Sequence, residues 1–213
     1  MEGLEILDRA GNVISGVYPP TAGEIELLGR SIVGLPAHKI ARAGIARTFQ
    51  NIRLFSQLLV RENVEATAPP GTTEEAVDEV LLWLGLDVVR REKALNLSYG
   101  MQRRLEIARA VVRRPVLLLL DEPAAGMNES ESDELLENIR RIRTAIGCSI
   151  VVVDHDLRLI MELCDRIQVL DQGKTIGIGR RRGRERPGRR RGVPGRRVGE
   201  VGMMAGVRGD VAR

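Results

Sequence analysis

Two adjacent carboxylates, Asp121 and Glu122, follow the unbroken apolar run Val116 to Leu120 and are closed by Pro123. A run of that length without a polar residue fits a parallel strand covered on both faces. In an open α/β sheet the carboxyl end of such a strand is where ligands sit, so paired acids there suit metal binding together with base chemistry on water. An acidic pair after a strand is equally what a solvated turn looks like. A second β-branched run, Ser149 to Val153, delivers Asp154-His155-Asp156. Gln50 ends a third, shorter strand-like stretch from Ile45. Taken alone, the histidine and the glutamine are ordinary hydrogen-bonding residues.

The elements that must carry these groups are legible from periodicity and punctuation. Asn12 to Gly16 reads as a helix end closed by glycine. Glu24 to Leu28 and Ser31 to Val33, separated by Gly29-Arg30, form a candidate hairpin. Pro36 opens a helix through Ala43. Glu74 to Leu84 keeps Ala76, Val77, Val80, Leu81 and Leu84 on one helical face. Ser98 and Gly100 begin a helix that leads to Pro115 and the first buried strand. Asn128 can cap the next helix with Glu131 as the reciprocal partner, and Leu135, Ile139, Ile142 and Ile146 mark its apolar face. A short helix, Leu157 to Leu163, and a hairpin over 167–178 follow.

Charge is unevenly divided. The net charge of +4 conceals a segment, 180–213, with 12 Arg against three acids, and a body of 21 basic and 26 acidic residues. The segment is Arg, Gly and Pro with almost no apolar period, which predicts a disordered tail. Its charge would attract nucleic-acid phosphates without sequence preference, but an aromatic content of 2% argues against a base-stacking platform, and a solvated tail is the simpler reading. Cys148 and Cys164 lack metal-site or disulfide-framework spacing. No run reaches the roughly 20 apolar residues of a membrane span, so the chain is expected to be soluble.

Leu97-Ser98-Tyr99-Gly100-Met101-Gln102, followed by Arg103 to Ala110, resembles the signature motif and helix of ATP-binding-cassette (ABC) ATPases. In register with it, Gln50 resembles the Q-loop glutamine, Ala124 to Asn128 the D-loop, and His155 the switch histidine. Only 47 residues separate Gln50 from Ser98, too few for the coiled-coil arms of DNA-repair and chromosome-organising relatives, so the transporter branch is favoured. The stretches Gly44 to Phe55 and Asp121 to Asn128 look like the ATPase subunit of branched-chain amino-acid importers.

The resemblance implies an α/β, P-loop NTPase-like nucleotide-binding domain over 1–179, with a small helical subdomain at about 58–112 and a shortened amino end. It implies ATP and Mg²⁺, with Asp121 and Gln50 as metal ligands, Glu122 as general base, and His155 at the γ-phosphate. Gln50, Ser98, Gly100, Gln102 and Asn128 are the implied nucleotide contacts, Ser98 and Gly100 being offered to ATP held by a second subunit. Implied partners are that second ATPase subunit, as homo- or heterodimer, and transmembrane permease subunits. The implied place is the cytoplasmic face of the plasma membrane.

The departure from the family is the phosphate loop, G-x-x-x-x-G-K-[ST]. Gly11 to Gly16 is followed by Val17-Tyr18, and Gly173-Lys174-Thr175 has Gln168 where the first glycine belongs. Without the amides and lysine of that loop the acids would repel a polyanion, so weak ATP binding by the chain's own half-site is expected. Two functional readings follow: an ATP-hydrolysing subunit that drives import, or a non-catalytic remnant that pairs with intact partners. The unusual start and tail together suggest a disturbed reading frame. Tyr99, Met101 and Asn128 are smaller departures that leave the helix start intact.

Overall fold

Leu117–Asp121 is a strand with Leu118, Leu119 and Leu120 buried, as an all-apolar run flanked on both sides requires. The computed structural model describes residues 10–171, 174–180 and 202–207. Residues 10–14 are helical (α1), and Gly16, at φ +74°, turns the chain out of that helix. Glu26–Leu27 (β1) and Arg30–Ser31 (β2) pair antiparallel, with Leu28 and Gly29 both at positive φ between them. This hairpin is shorter than its alternating pattern suggests, because only two residue pairs lie in register.

Ala37–Arg42 (α2) begins at Pro36 and leads to Ile45–Arg47 (β3). Between them Gly44 stands at φ +108°, where an added Cβ would lie 2.9 Å from Val116 Cγ2, so both conformation and proximity require glycine. Val60–Glu65 (α3), Glu74–Trp83 (α4) and Tyr99–Val111 (α5) form the helical stretch that precedes Leu117–Asp121 (β4). Asn128 caps Glu129–Ile146 (α6) through a capping box with Glu131, as its sequence spacing indicates. Ser149–Asp154 (β5), Leu157–Leu163 (α7), Arg166–Asp171 (β6) and Lys174–Arg180 (β7) complete the order up to residue 180.

With Gly202–Val207 as β8, the main sheet has the order β3-β4-β5-β8-β6-β7. Strands β3, β4 and β5 run parallel, with Arg47 opposite Leu119 and Asp121 opposite Val153. Their carboxyl ends therefore open at one edge of the molecule. The helices cover the sheet: Leu105, Ile107 and Val111 of α5 and Leu135, Ile139 and Ile142 of α6 are buried in one core with Leu118, Leu120, Ile150 and Val152. Burying each such side chain contributes about 1.5–3 kcal/mol. Cys148 and Cys164 are free and buried, and burial pushes the Cys164 thiol up to about 12.

The tail contributes one strand. Gly202–Val207, inside the segment expected to stay disordered, is strand β8, antiparallel to β5 on one side and to β6 on the other. The physical reason is that two strands facing one another across a gap expose rows of backbone donors and acceptors, and an inserted strand pairs both rows without needing an apolar period of its own. The remainder of 181–213 lies outside the described residues.

Candidate functional site

Three parallel strands end side by side and each delivers a polar group. From β3 come Thr48, Phe49 and Gln50; from β4, Asp121 and Glu122; from β5, Asp154 and His155. The Glu122 amide donates to the Val153 carbonyl (2.8 Å), which locks the two acidic ends in register. His155 Nδ1 lies 3.4 Å from Glu122 Oε1 and 3.8 Å from Asp154 Oδ1. The imidazole is 63% exposed while the Glu122 carboxylate is 8% exposed. A buried acid thus sits beneath a solvent-facing imidazole. Glu122 Oε1 and Asp154 Oδ2 are buried without a hydrogen-bond partner, which is costly unless water or a ligand completes them. Burial raises the Asp154 carboxyl above its ordinary value, against hydrogen bonds from the Asp156 and His155 amides.

Glu122 has φ +41°, a left-handed conformation that costs a non-glycine residue about 1–3 kcal/mol. Arg103 holds it there. The Arg103 side chain is fully buried on α5; its Nη2 donates to the carbonyls of Asp121 (3.0 Å) and Glu122 (2.8 Å). Its Nη1 donates to Phe49 O (2.5 Å) and Glu106 Oε2 (2.7 Å). Glu106 Oε1 in turn accepts from the Phe49 amide (3.2 Å), and burial outweighs Arg103 in raising the Glu106 carboxyl. Farther along, Asn63 bonds both Phe55 N and Phe55 O (3.0 Å each), fixing the segment after Gln50.

The start of α5 is a second cluster. Ser98 is exposed and its Oγ accepts from the Met101 amide (3.4 Å), so it caps the helix. Gln102 turns back, donating from Nε2 to Leu97 O (3.0 Å). Gly100 meets the Glu131 side chain and Gly126 meets the Tyr99 ring, each so closely that an added Cβ would lie within 3.1 Å of it. Asn128, Ser98, Gly100 and Gln102 therefore gather at one place, and Gln50, Asp121, Glu122 and His155 at another. Arg103 joins the two.

The family model for ABC transporters matches residues 11–125. The chain belongs to that family. It is 39% identical to the high-affinity branched-chain amino acid transport ATP-binding protein BraF of Pseudomonas aeruginosa, over 79% of this chain and 74% of that one. It is 40% identical, with the same coverage of both chains, to the protein LivG of Salmonella typhimurium, which carries the same description. Among solved structures, cbiO1 from Clostridium perfringens, part of the transporter complex cbiONQ, superposes with a TM-score of 0.75 at 25% identity, over 84% of this chain and 74% of that one. The ATP-binding cassette MJ1267 gives 0.74 at 24% identity, over 81% and 75%. The fold is that of an ABC nucleotide-binding domain, and no helix among the described residues is long and apolar enough to cross a membrane.

In this ABC cassette the base and histidine candidates lie side by side, and Asp121, at the same sheet end, is already paired with a cation. Gln50 is exposed on the segment after β3. Asp121, expected to hold Mg²⁺, is engaged by Arg47, whose Nη2 lies 2.9 Å from Asp121 Oδ2 with both side chains nearly buried. A carboxylate already paired with a fixed guanidinium does not fit direct ligation of a divalent cation. Among the described residues no three His, Cys, Asp or Glu side chains are placed to hold a metal. Sequence reading missed Arg47, Arg103, Glu106 and Asn63. The available signal was their charge or polarity within otherwise apolar strand and helix faces, but the contacts that decide their roles join separate segments: Arg47 with Asp121 across 74 positions, Arg103 with Phe49 across 54, and Asn63 with Phe55 across 8.

Proposed function

We propose that this chain is the ATP-binding and ATP-hydrolysing subunit of an importer for branched-chain amino acids, with weak binding at its own half-site, where the phosphate loop is missing. The observation that carries the reading is the buried Glu122 carboxylate 3.4 Å from the exposed His155 imidazole, at the ends of adjacent parallel strands. The solute follows from the similarity to BraF and LivG, whose names specify branched-chain amino acids. Glu122 takes a proton from the attacking water, and its orphaned Oε1 is available as the acceptor. His155 donates to the γ-phosphate from the solvent side, and Gln50 meets the same phosphate. Ser98, Gly100 and Gln102 at the start of α5, with Asn128 beside them, face ATP carried by a second ATPase subunit, where the helix dipole favours negative charge.

The partners are that second subunit and transmembrane permease subunits, which place the chain at the cytoplasmic face of the plasma membrane. An open cavity of about 730 Å³, lined by Ile40, Arg42, Phe49, Arg53, Arg109 and Arg113 among others, reaches Phe49, the residue before Gln50, and suits a permease segment. Arg47 and Arg53 stack on Phe49, and Arg109 on Phe55, which makes this wall firm. Reconstitution with permease and partner subunits tests the reading. Wild-type complex should hydrolyse ATP and import labelled leucine, and Glu122→Gln should lower turnover by about 10²–10⁴-fold. Hydrolysis unaffected by that substitution would sink it.

A further inference from the structure

Asp121 and Arg47 are neighbours by strand register. Arg47 lies opposite Leu119 on the parallel pair β3-β4, so Asp121, two residues on, shares its face as the diagonal neighbour. The guanidinium is held from several directions. Nη2 meets Asp121 Oδ2 at 2.9 Å; Nη1 donates to Asn12 Oδ1 at 2.7 Å and to Ser15 Oγ at 3.3 Å. Its Cζ stands 5.1 Å from the Phe49 ring centroid. Gly11 lies so close that an added Cβ would be 3.1 Å from Cζ and Nη2. The Arg47 side chain is 5% exposed and that of Asp121 11%. An arginine on a mobile surface arm would show none of this confinement.

Space points the same way. The cavity bounded by Gly11, Ile14, Arg47, Asp121, Val151 and Val153 measures about 10 Å³. That is about the size of one water probe and far short of a divalent cation that retains several waters.

We infer that Arg47 is a built-in counter-ion that occupies the Asp121 carboxylate and keeps it from ligating a divalent cation directly, so that a metal arriving with ATP is held by other groups. A fixed cation then supplies the charge compensation that the family resemblance assigns to a metal, and α1 is tied to β4 through the same guanidinium. Arg47 holds Asp121 in this way whichever solute is transported.

Mn²⁺ binding to the full chain, read from the loss of the free aqua-ion's electron paramagnetic resonance signal, tests it. Wild type and Asp121→Asn should show the same Mn²⁺ affinity, because the carboxylate is already taken. Arg47→Met should bind Mn²⁺ at least about tenfold more tightly, and Arg47→Met with Asp121→Asn should lose that gain. Arg47→Lys, which keeps the charge, should not gain affinity. A wild-type affinity that falls on Asp121→Asn overturns the inference, as does a folded Arg47→Met chain with unchanged affinity. If Arg47→Met fails to fold, the comparison of wild type with Asp121→Asn decides alone.

Discussion

Arg103 Nη2 lies 2.8 Å from the carbonyl oxygen of Glu122, the residue whose backbone stands at φ +41°. The arginine comes from the helix that begins at Ser98, and the glutamate ends the central strand. One buried side chain thus fixes the conformation of the acid in one cluster from an element that carries the other.

Removing Arg103 should therefore be expensive. Arg103→Met leaves Glu106 without its cation and the carbonyls of Phe49, Asp121 and Glu122 without a donor. Losing one partner of a buried pair costs about 3–5 kcal/mol, to be measured as the change in urea unfolding free energy. Arg103→Met with Glu106→Leu should recover part of the loss, because no charge is then stranded. A double variant no more stable than the single one would mean that the backbone carbonyls, and not the ion pair, dominate.

Asp154 gives a pH dependence with a definite sign. Burial raises its native pKa above the unfolded value of about 4, so the native state holds its proton to higher pH. Its contribution to stability is complete below the unfolded value and is lost as pH rises through the native one. Asp154→Asn keeps the acceptor that bonds the Asp156 amide and removes the charge. The variant should have a higher melting temperature than wild type at pH 7, and the two should converge near pH 4. A difference independent of pH would rule out this cause.

Leu28 offers a stability gain away from the site. It is exposed, at φ +51°, beside Gly29 at φ +74°, so the two-residue turn between β1 and β2 has positive φ at both positions. Asn-Gly is the favoured pair for such a turn. Leu28→Asn should stabilise by about 0.5–1 kcal/mol in chemical denaturation, since asparagine tolerates this region at lower cost than leucine. A destabilised variant would show that Leu28 contributes packing its exposure does not suggest.

How much was legible differs by element. The capping box of Asn128 and Glu131, the left-handed Gly147 at φ +73° that ends α6, and the buried parallel strand after Pro115 all depend on neighbours within a few residues, and the spacing of residue types is enough to specify them. The strand pairing of Gly202–Val207 was not legible, because it rests on backbone groups that every residue carries.

The sequence by itself determined the family, the order of strands and helices up to residue 180, and the presence of Glu122 and His155 at strand ends, because these are local patterns or motifs at set separations. Only the tertiary structure decided what those groups face. Arg47 reaches Asp121 across 74 positions, and Arg103 reaches Phe49 across 54. Strand register and helix packing create both encounters, and a buried charge accepts whichever partner the fold brings within hydrogen-bonding distance.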